Sequence, residues 1–225
     1  MVDRLRPRTQ FILALAISTL VSVGLFGYGV HRDGNHDFDY LLWNLFLAWV
    51  PFGLTIWLVK ALRRKLWSSW EALFITLLWL TFLPNTFYMI SDFIHLQDVN
   101  SGDALYDAVL LSSFVFTSLL LGFSSLYLVH IQLVRRLRPL TAALIVAVIL
   151  VTCSFAIYVG RDLRWNSWDI LTNPAGLLFD ISARFMYRAN YTQMCLVVSS
   201  FGVLLGSMYN LLWRGARILQ QTSHQ

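Results

Sequence analysis

Six long apolar runs, separated by short polar connections, set the pattern of the chain. A helix crosses the hydrocarbon core of a bilayer in about 20 apolar residues, and windows at about 10–30, 38–59, 69–90, 105–133, 140–160 and 191–213 meet that length. Each predicts a membrane-spanning helix. The first run follows Arg4, Arg6 and Arg8, as a secretory signal would. It is longer than the usual h-region of about 7–15 residues and no small-residue cleavage site follows, so it reads as a retained span. Between spans five and six, residues 173–188 are too many for a tight turn. Leu177, Leu178, Phe179, Ile181 and Phe185 are interleaved there with Asp180, Arg184 and Arg188, which suits an amphipathic helix lying in the interface. The expected fold class is all-α, a polytopic helical membrane protein of six spans forming a single integral membrane domain over residues 1–225.

Composition sharpens this. Hydrophobic residues make up 57% of the chain and charged residues 13%, against about 25% charged in soluble domains. The net charge of +5 does not imply a nucleic-acid partner, because the basic residues sit in short clusters between apolar runs. The partner implied is the lipid bilayer. Cys153 and Cys195 lie inside apolar runs with no C-x-x-C or Cys/His spacing. Both are expected toward one side of the membrane, which leaves a disulfide open, although a lone buried cysteine is usually a small hydrophobe.

The basic clusters orient the chain. The N-terminus, the connection with Lys60, Arg63, Arg64 and Lys65, the connection with Arg135, Arg136 and Arg138, and the tail with Arg214 and Arg217 hold twelve of the seventeen lysines and arginines. The positive-inside rule makes that side cytoplasmic. Both termini are then cytoplasmic, as six spans require, in the cell (plasma or inner) membrane. The other side carries ten of the twelve acidic residues and five arginines, so chemistry is expected there.

One stretch on that side is unusual. "FLPNTFYMISDFIHL", residues 82–96, ends an apolar run with ionisable groups still mixed among Phe, Met and Ile. Pro84 predicts a kink, tolerated where neighbours satisfy the freed carbonyl. If the α-helix resumes, Asn85, Tyr88, Asp92 and His95 fall within an arc of about 80°. That stripe should face protein or a wet cavity, since a charge against lipid costs a few kcal/mol. Asn44 lies at similar depth in span two, and Tyr106 and Asp107 open span four. Span five ends in "YVGRDLRWNSWDI", residues 158–170. Were it helical throughout, Arg161, Arg164, Trp165 and Trp168 would share one side with Asp169 at its edge; Gly160 and Asn166-Ser167 could interrupt it. Asn85, Asp92 and Arg161 are expected to approach one another.

The stretches "LPNTFYMISDFIHL" and "GRDLRWNSWDI" together resemble the two signature stretches of a bacterial and archaeal membrane-protein family, domain of unknown function 1361. The resemblance runs from span two to span six. It falls on Leu83, Pro84, Asn85, Tyr88, Asp92, His95 and Leu96, and on Gly160, Arg161, Leu163, Arg164, Trp165, Asn166, Ser167, Trp168 and Asp169. It implies a fold and no activity.

Three readings stay open. In the first the polar layer is structural: Asp92 or Asp107 pairs with Arg161 or Arg164, Asn85 caps the kink, and the tryptophans form the interfacial belt. In the second it binds a polar or anionic, head-group-like or lipid-linked molecule. Arg161 and Arg164 would hold phosphate or carboxylate bidentately, Trp165 and Trp168 would pack on the rest, and Asn85 and Tyr88 would supply hydrogen bonds. This covers a small transporter too, although no internal repeat supports the inverted-repeat kind. In the third the chain is an enzyme, a hydrolase or transferase on a lipid-linked substrate. Asp92 and His95, three apart, could share a divalent metal with Asp107 or Asp169, or Asp92 could orient His95 as a general base. No G-x-S-x-G or H-E-x-x-H pattern accompanies them. Haem is disfavoured, because His130 lies toward the other end of span four with no second histidine at its depth.

Overall fold

The computed structural model describes residues 7–34, 38–97, 104–163, 165, 172–186 and 188–222. Its elements, in order, are α1 (Pro7–Asp33), α2 (Asp39–Ala61), α3 (Trp70–Tyr88), a 3-10 helix (Met89–Gln97), α4 (Ala104–Val134), α5 (Pro139–Asp162), α6 (Pro174–Met186) and α7 (Arg188–Thr222). Among the described residues there is no strand. Six helices are long and apolar enough to cross a membrane, and α6 is a shorter apolar one. The expected windows match to within a few residues, except that the last helix runs on to Thr222 rather than ending near 213. Local signals set several boundaries. Ser69 is extended and its hydroxyl accepts from the Ala72 amide, capping α3. Pro139 opens α5 after an extended Arg138, a position where its missing N–H costs nothing.

The chain divides into two compact units, Met1–Ser125 and Leu126–Gln225, the boundary falling within α4. In the first unit α2 lies along α3. Leu41, Phe52, Leu58, Ile75, Trp79 and Phe87 are among its fully or nearly fully buried side chains.

A seam of hydroxyl groups ties these helices together. Ser18 and Thr117 are 2.6 Å apart between α1 and α4, with Ser22 completing the group at 3.3 Å. The Trp49 indole donates to Thr19 at 3.1 Å, joining α2 to α1. Ser118 of α4 donates to the Thr86 carbonyl at 2.6 Å. Ser125 is the hub: the Trp79 indole donates to it at 2.7 Å, Thr55 lies at 2.7 Å, and the Pro51 carbonyl at 3.2 Å. A serine has one proton and two lone pairs. Since Ser125 gives its proton to Pro51, Thr55 must donate to it, and its capacity is filled. Pro51 and Pro84 both sit inside helices, where each removes a ladder bond. Beside Pro84, side chains add local bonds to the backbone: Asn85 Nδ2 donates to the Phe82 carbonyl at 3.2 Å and Thr86 Oγ1 to the Leu83 carbonyl at 2.7 Å.

In the second unit α5 packs along α7, and α6 touches α7. Cys153 is buried and Cys195 exposed, and both are free thiols, so the disulfide left open by the sequence is not formed.

Two expectations about local geometry need correction. The α-helix does not resume beyond Tyr88, because residues 89–97 wind as a 3-10 helix. Ser91 donates its hydroxyl to the Tyr88 carbonyl at 2.7 Å, and such local bonds compete with the α ladder. At three residues per turn, positions 92 and 95 eclipse, and the arc holding Asn85, Tyr88, Asp92 and His95 widens to roughly 120°. Nor does span five stay helical through Trp165. It ends at Asp162, where the amides of Leu163 and Trp165 both turn back onto the Val159 carbonyl, at 3.2 and 3.4 Å. Arg161 and Trp165 therefore do not share a regular helical face.

Candidate functional site

The polar residues of the first unit gather where α1 and α3 end and α2 and α4 begin. Asp92, on the 3-10 helix, is 1% exposed, and Asp107, in the first turn of α4, is 5% exposed. Two carboxylates this deep in an apolar chain are costly, which marks them as candidates for function. The start of α4 eases the charge of Asp107, because unsatisfied N–H groups gather there. Asn44 of α2 directs Nδ2 at Asp92 Oδ2, 3.5 Å away, the long limit for a hydrogen bond. Asn85 and Tyr88 are half-buried. His95 is placed by its backbone on the 3-10 helix; its side chain lies outside what is described.

Arg32 is a functional candidate that the motif reading passed over. Its guanidinium carbon sits 4.6 Å above the Tyr106 ring, which also meets the Tyr28 ring at 6.0 Å. The Tyr106 hydroxyl donates to the Leu25 carbonyl, fixing α4 against α1. The signal was available: Arg32 is an arginine in the last turn of α1, at the opposite end from Arg8.

The second unit has its own polar end, beside the finish of α5. Arg161 is half-buried in the last turn of α5, where a cation suits the helix dipole. The Trp165 indole donates to Asp180 Oδ2 of α6 at 2.9 Å, and Gln193 of α7 donates to Asp162 Oδ1 at 3.2 Å. Trp165 thus holds α6 through its polar edge. Arg164, Trp168 and Asp169 lie outside the described residues.

A further cluster was not foreseen. His130 Nδ1 lies 2.9 Å from the Tyr209 hydroxyl, and both residues are buried. The imidazole stacks on Trp213, with centroids 3.8 Å apart and planes at 25°, and Tyr127 meets the same indole at 5.4 Å. His130, Tyr209 and Trp213 could have been found by their helical spacing, but only given that α4 and α7 meet, which spacing alone does not tell.

Among the described side chains, which do not include that of His95, no three from His, Cys, Asp or Glu converge as metal ligands would.

Six apolar helices of spanning length, with buried carboxylates at one end of the first unit, define an all-helical multi-pass membrane protein. No curated protein and no solved structure matches the chain. The model of the protein family of unknown function DUF1361 matches residues 43–209, about three quarters of the chain. The chain belongs to that family.

Proposed function

We propose that this protein binds a polar, hydrogen-bond-donating head group through Asp92, on the side of the membrane away from the cytoplasm. The observation that carries the reading is the burial of Asp92 within a spanning segment. An aspartate costs about 2.5–3.5 kcal/mol at the centre of a membrane helix on insertion scales and less toward the end, where Asp92 lies. The helices of the first unit are joined by hydroxyl and indole groups, so a carboxylate is a dear way to add cohesion. Carboxylates only accept hydrogen bonds, and Asp92 therefore suits an ammonium or hydroxyl-bearing group. An anionic ligand would draw instead on Arg161 and Arg164.

The twelve-to-five split of basic residues supports cytoplasmic termini in the cell membrane. The exposed Leu178, Phe179 and Met186 of α6, with Asp180 turned to Trp165, support an interfacial helix. A second reading, catalysis or metal ligation by Asp92 with His95, is favoured by the 3-10 winding, which eclipses those positions.

The test uses the full chain in detergent and its unfolding midpoint in phosphatidylethanolamine or phosphatidylcholine. The two differ in the N–H donors of the head group. Phosphatidylethanolamine should raise the midpoint of the wild type, and Asp92→Asn should abolish the difference while the protein stays monodisperse. Equal responses to both lipids, or an effect that survives Asp92→Asn, would overturn the reading. Stabilisation by phosphatidylglycerol that is lost in Arg161→Gln would put the anionic ligand in its place. His95→Gln keeps a hydrogen bond but loses proton transfer and strong metal ligation. Full complementation of a deletion strain by that variant would remove the catalytic alternative.

A further inference from the structure

The far end of the second unit, where α4 finishes and α7 runs out past Trp213, carries an excess of positive charge with no acid beside it in sequence. Residues 126–161 and 181–225 contain no Asp or Glu at all. The exposed arginines Arg135, Arg136 and Arg138 follow α4, and Arg214 and Arg217 lie on α7. The second unit uses nine arginines and no lysine, which matters because a guanidinium fork matches phosphate geometry where an ammonium is only a point charge.

Neutral groups help to hold three of these side chains in place. The Arg214 Nε–H donates to Asn210 Oδ1 at 3.0 Å. Arg136 Nη1 donates to the Gln132 carbonyl and to its Oε1, each at 2.9 Å. Arg217 lies over the Trp213 ring, 5.8 Å from its centroid. That ring is itself braced from within the unit by the His130 stack and by Tyr127. The buried imidazole thereby acquires a role: it anchors the platform on which Arg217 rests. Guanidinium groups positioned beforehand lose less entropy on binding. Beside them, Leu211, Ile218 and Leu219 are among the most exposed apolar side chains of the protein, as acyl chains next to a phosphate would require.

We propose that this arginine end of the second unit is a binding site for the phosphate of an anionic phospholipid, with Arg214 and Arg217 as its principal contacts and Trp213 as its anchor. The site uses none of the residues of the Asp92 reading, and its failure would leave that reading untouched.

The full-length protein in detergent, at a salt concentration that screens diffuse attraction, is titrated with phosphatidylglycerol and with phosphatidylcholine. Bound lipid is counted by native mass spectrometry. The wild type should retain phosphatidylglycerol in preference. Arg214→Gln with Arg217→Gln should weaken that retention about thirtyfold, since each basic group near an anionic surface contributes about 1 kcal/mol. The comparison removes the same charge elsewhere: Arg63→Gln with Arg64→Gln, on the exposed connection after α2, should change retention by less than about twofold at that salt. Equal losses in the two double variants would reduce the site to diffuse attraction and overturn the proposal, as would no loss in either. Displacement of the lipid by millimolar inorganic phosphate would overturn the commitment to a lipid.

Discussion

Replacing Ser125 by alanine tests how the first unit is held together, and the size of the effect can be worked out beforehand. The change deletes one oxygen that serves three partners: the Trp79 indole at 2.7 Å, Thr55 at 2.7 Å and the Pro51 carbonyl at 3.2 Å. Interhelical hydrogen bonds in membranes average about 0.6 kcal/mol and reach about 1.7. Three average bonds give about 2 kcal/mol, from which alanine's better helix propensity returns about 0.5. The expected net loss is about 1.5 kcal/mol. In a water-soluble core, stranding a buried indole N–H and a carbonyl would cost more, about 1–3 kcal/mol for each group, so the result also reports which reference state applies. The assay is reversible unfolding in mixed micelles, followed by far-UV circular dichroism. Repeating the substitution in a Trp79→Phe background removes one partner beforehand and should lower the cost by about 0.6 kcal/mol. A loss below about 0.3 kcal/mol, or none of the coupling to Trp79, would refute the idea that Ser125 is the hub.

Other outcomes follow from single contacts. In Gly122→Ala the new Cβ would meet Thr86 Oγ1 and Cβ and come within 2.9 Å of Phe87 Cε1; both neighbours are fully buried, so overpacking should cost about 1–3 kcal/mol by the same unfolding assay. His130→Phe keeps an aromatic ring on Trp213 but loses the bond to Tyr209, and should cost about 1 kcal/mol. Most of that cost should vanish in a Tyr209→Phe background. For the orientation, reporters fused after Gln225 and within 98–103 should lie in opposite compartments, and the same compartment for both would remove the six-span, termini-inside arrangement.

The six spans were legible because length and apolarity alone specify a spanning helix, and nothing in the packing could override runs such as those of α1 and α5. The site was legible by composition and not by geometry. Pro84 predicted a kink, but periodicity cannot tell an α-helix from a 3-10 helix when polar residues are sparse, and the arc came out too narrow. The exit of α5 failed for a similar reason. Gly160 was weighed as the breaker, yet it stays helical, and the turn comes at Leu163. Ser125, Thr55 and Thr117 were invisible beforehand, because a serine or threonine in an apolar run looks the same whether it faces a neighbour or bonds its own helix, as Thr152 does to the Val148 carbonyl.

That hydroxyl seam bears on Asp92. In lipid, helices gain cohesion from packing and from polar groups that find partners across the interface, and the first unit meets that need with side chains that are cheap to bury. Ser22, Thr55, Thr86, Thr117, Ser118 and Ser125 are all 1% exposed or less. The seam runs from Ser18 to Ser125 on four helices and does not use a charge. Asp92 departs from this economy. A serine there could meet the Asn44 amide equally well, and burying a carboxylate costs more than burying a hydroxyl. If cohesion were its role, Asp92→Ser should fold as well as the wild type and work as well. Retained folding with lost complementation is the outcome expected of a binding residue, and full complementation by Asp92→Ser would return the whole layer to architecture.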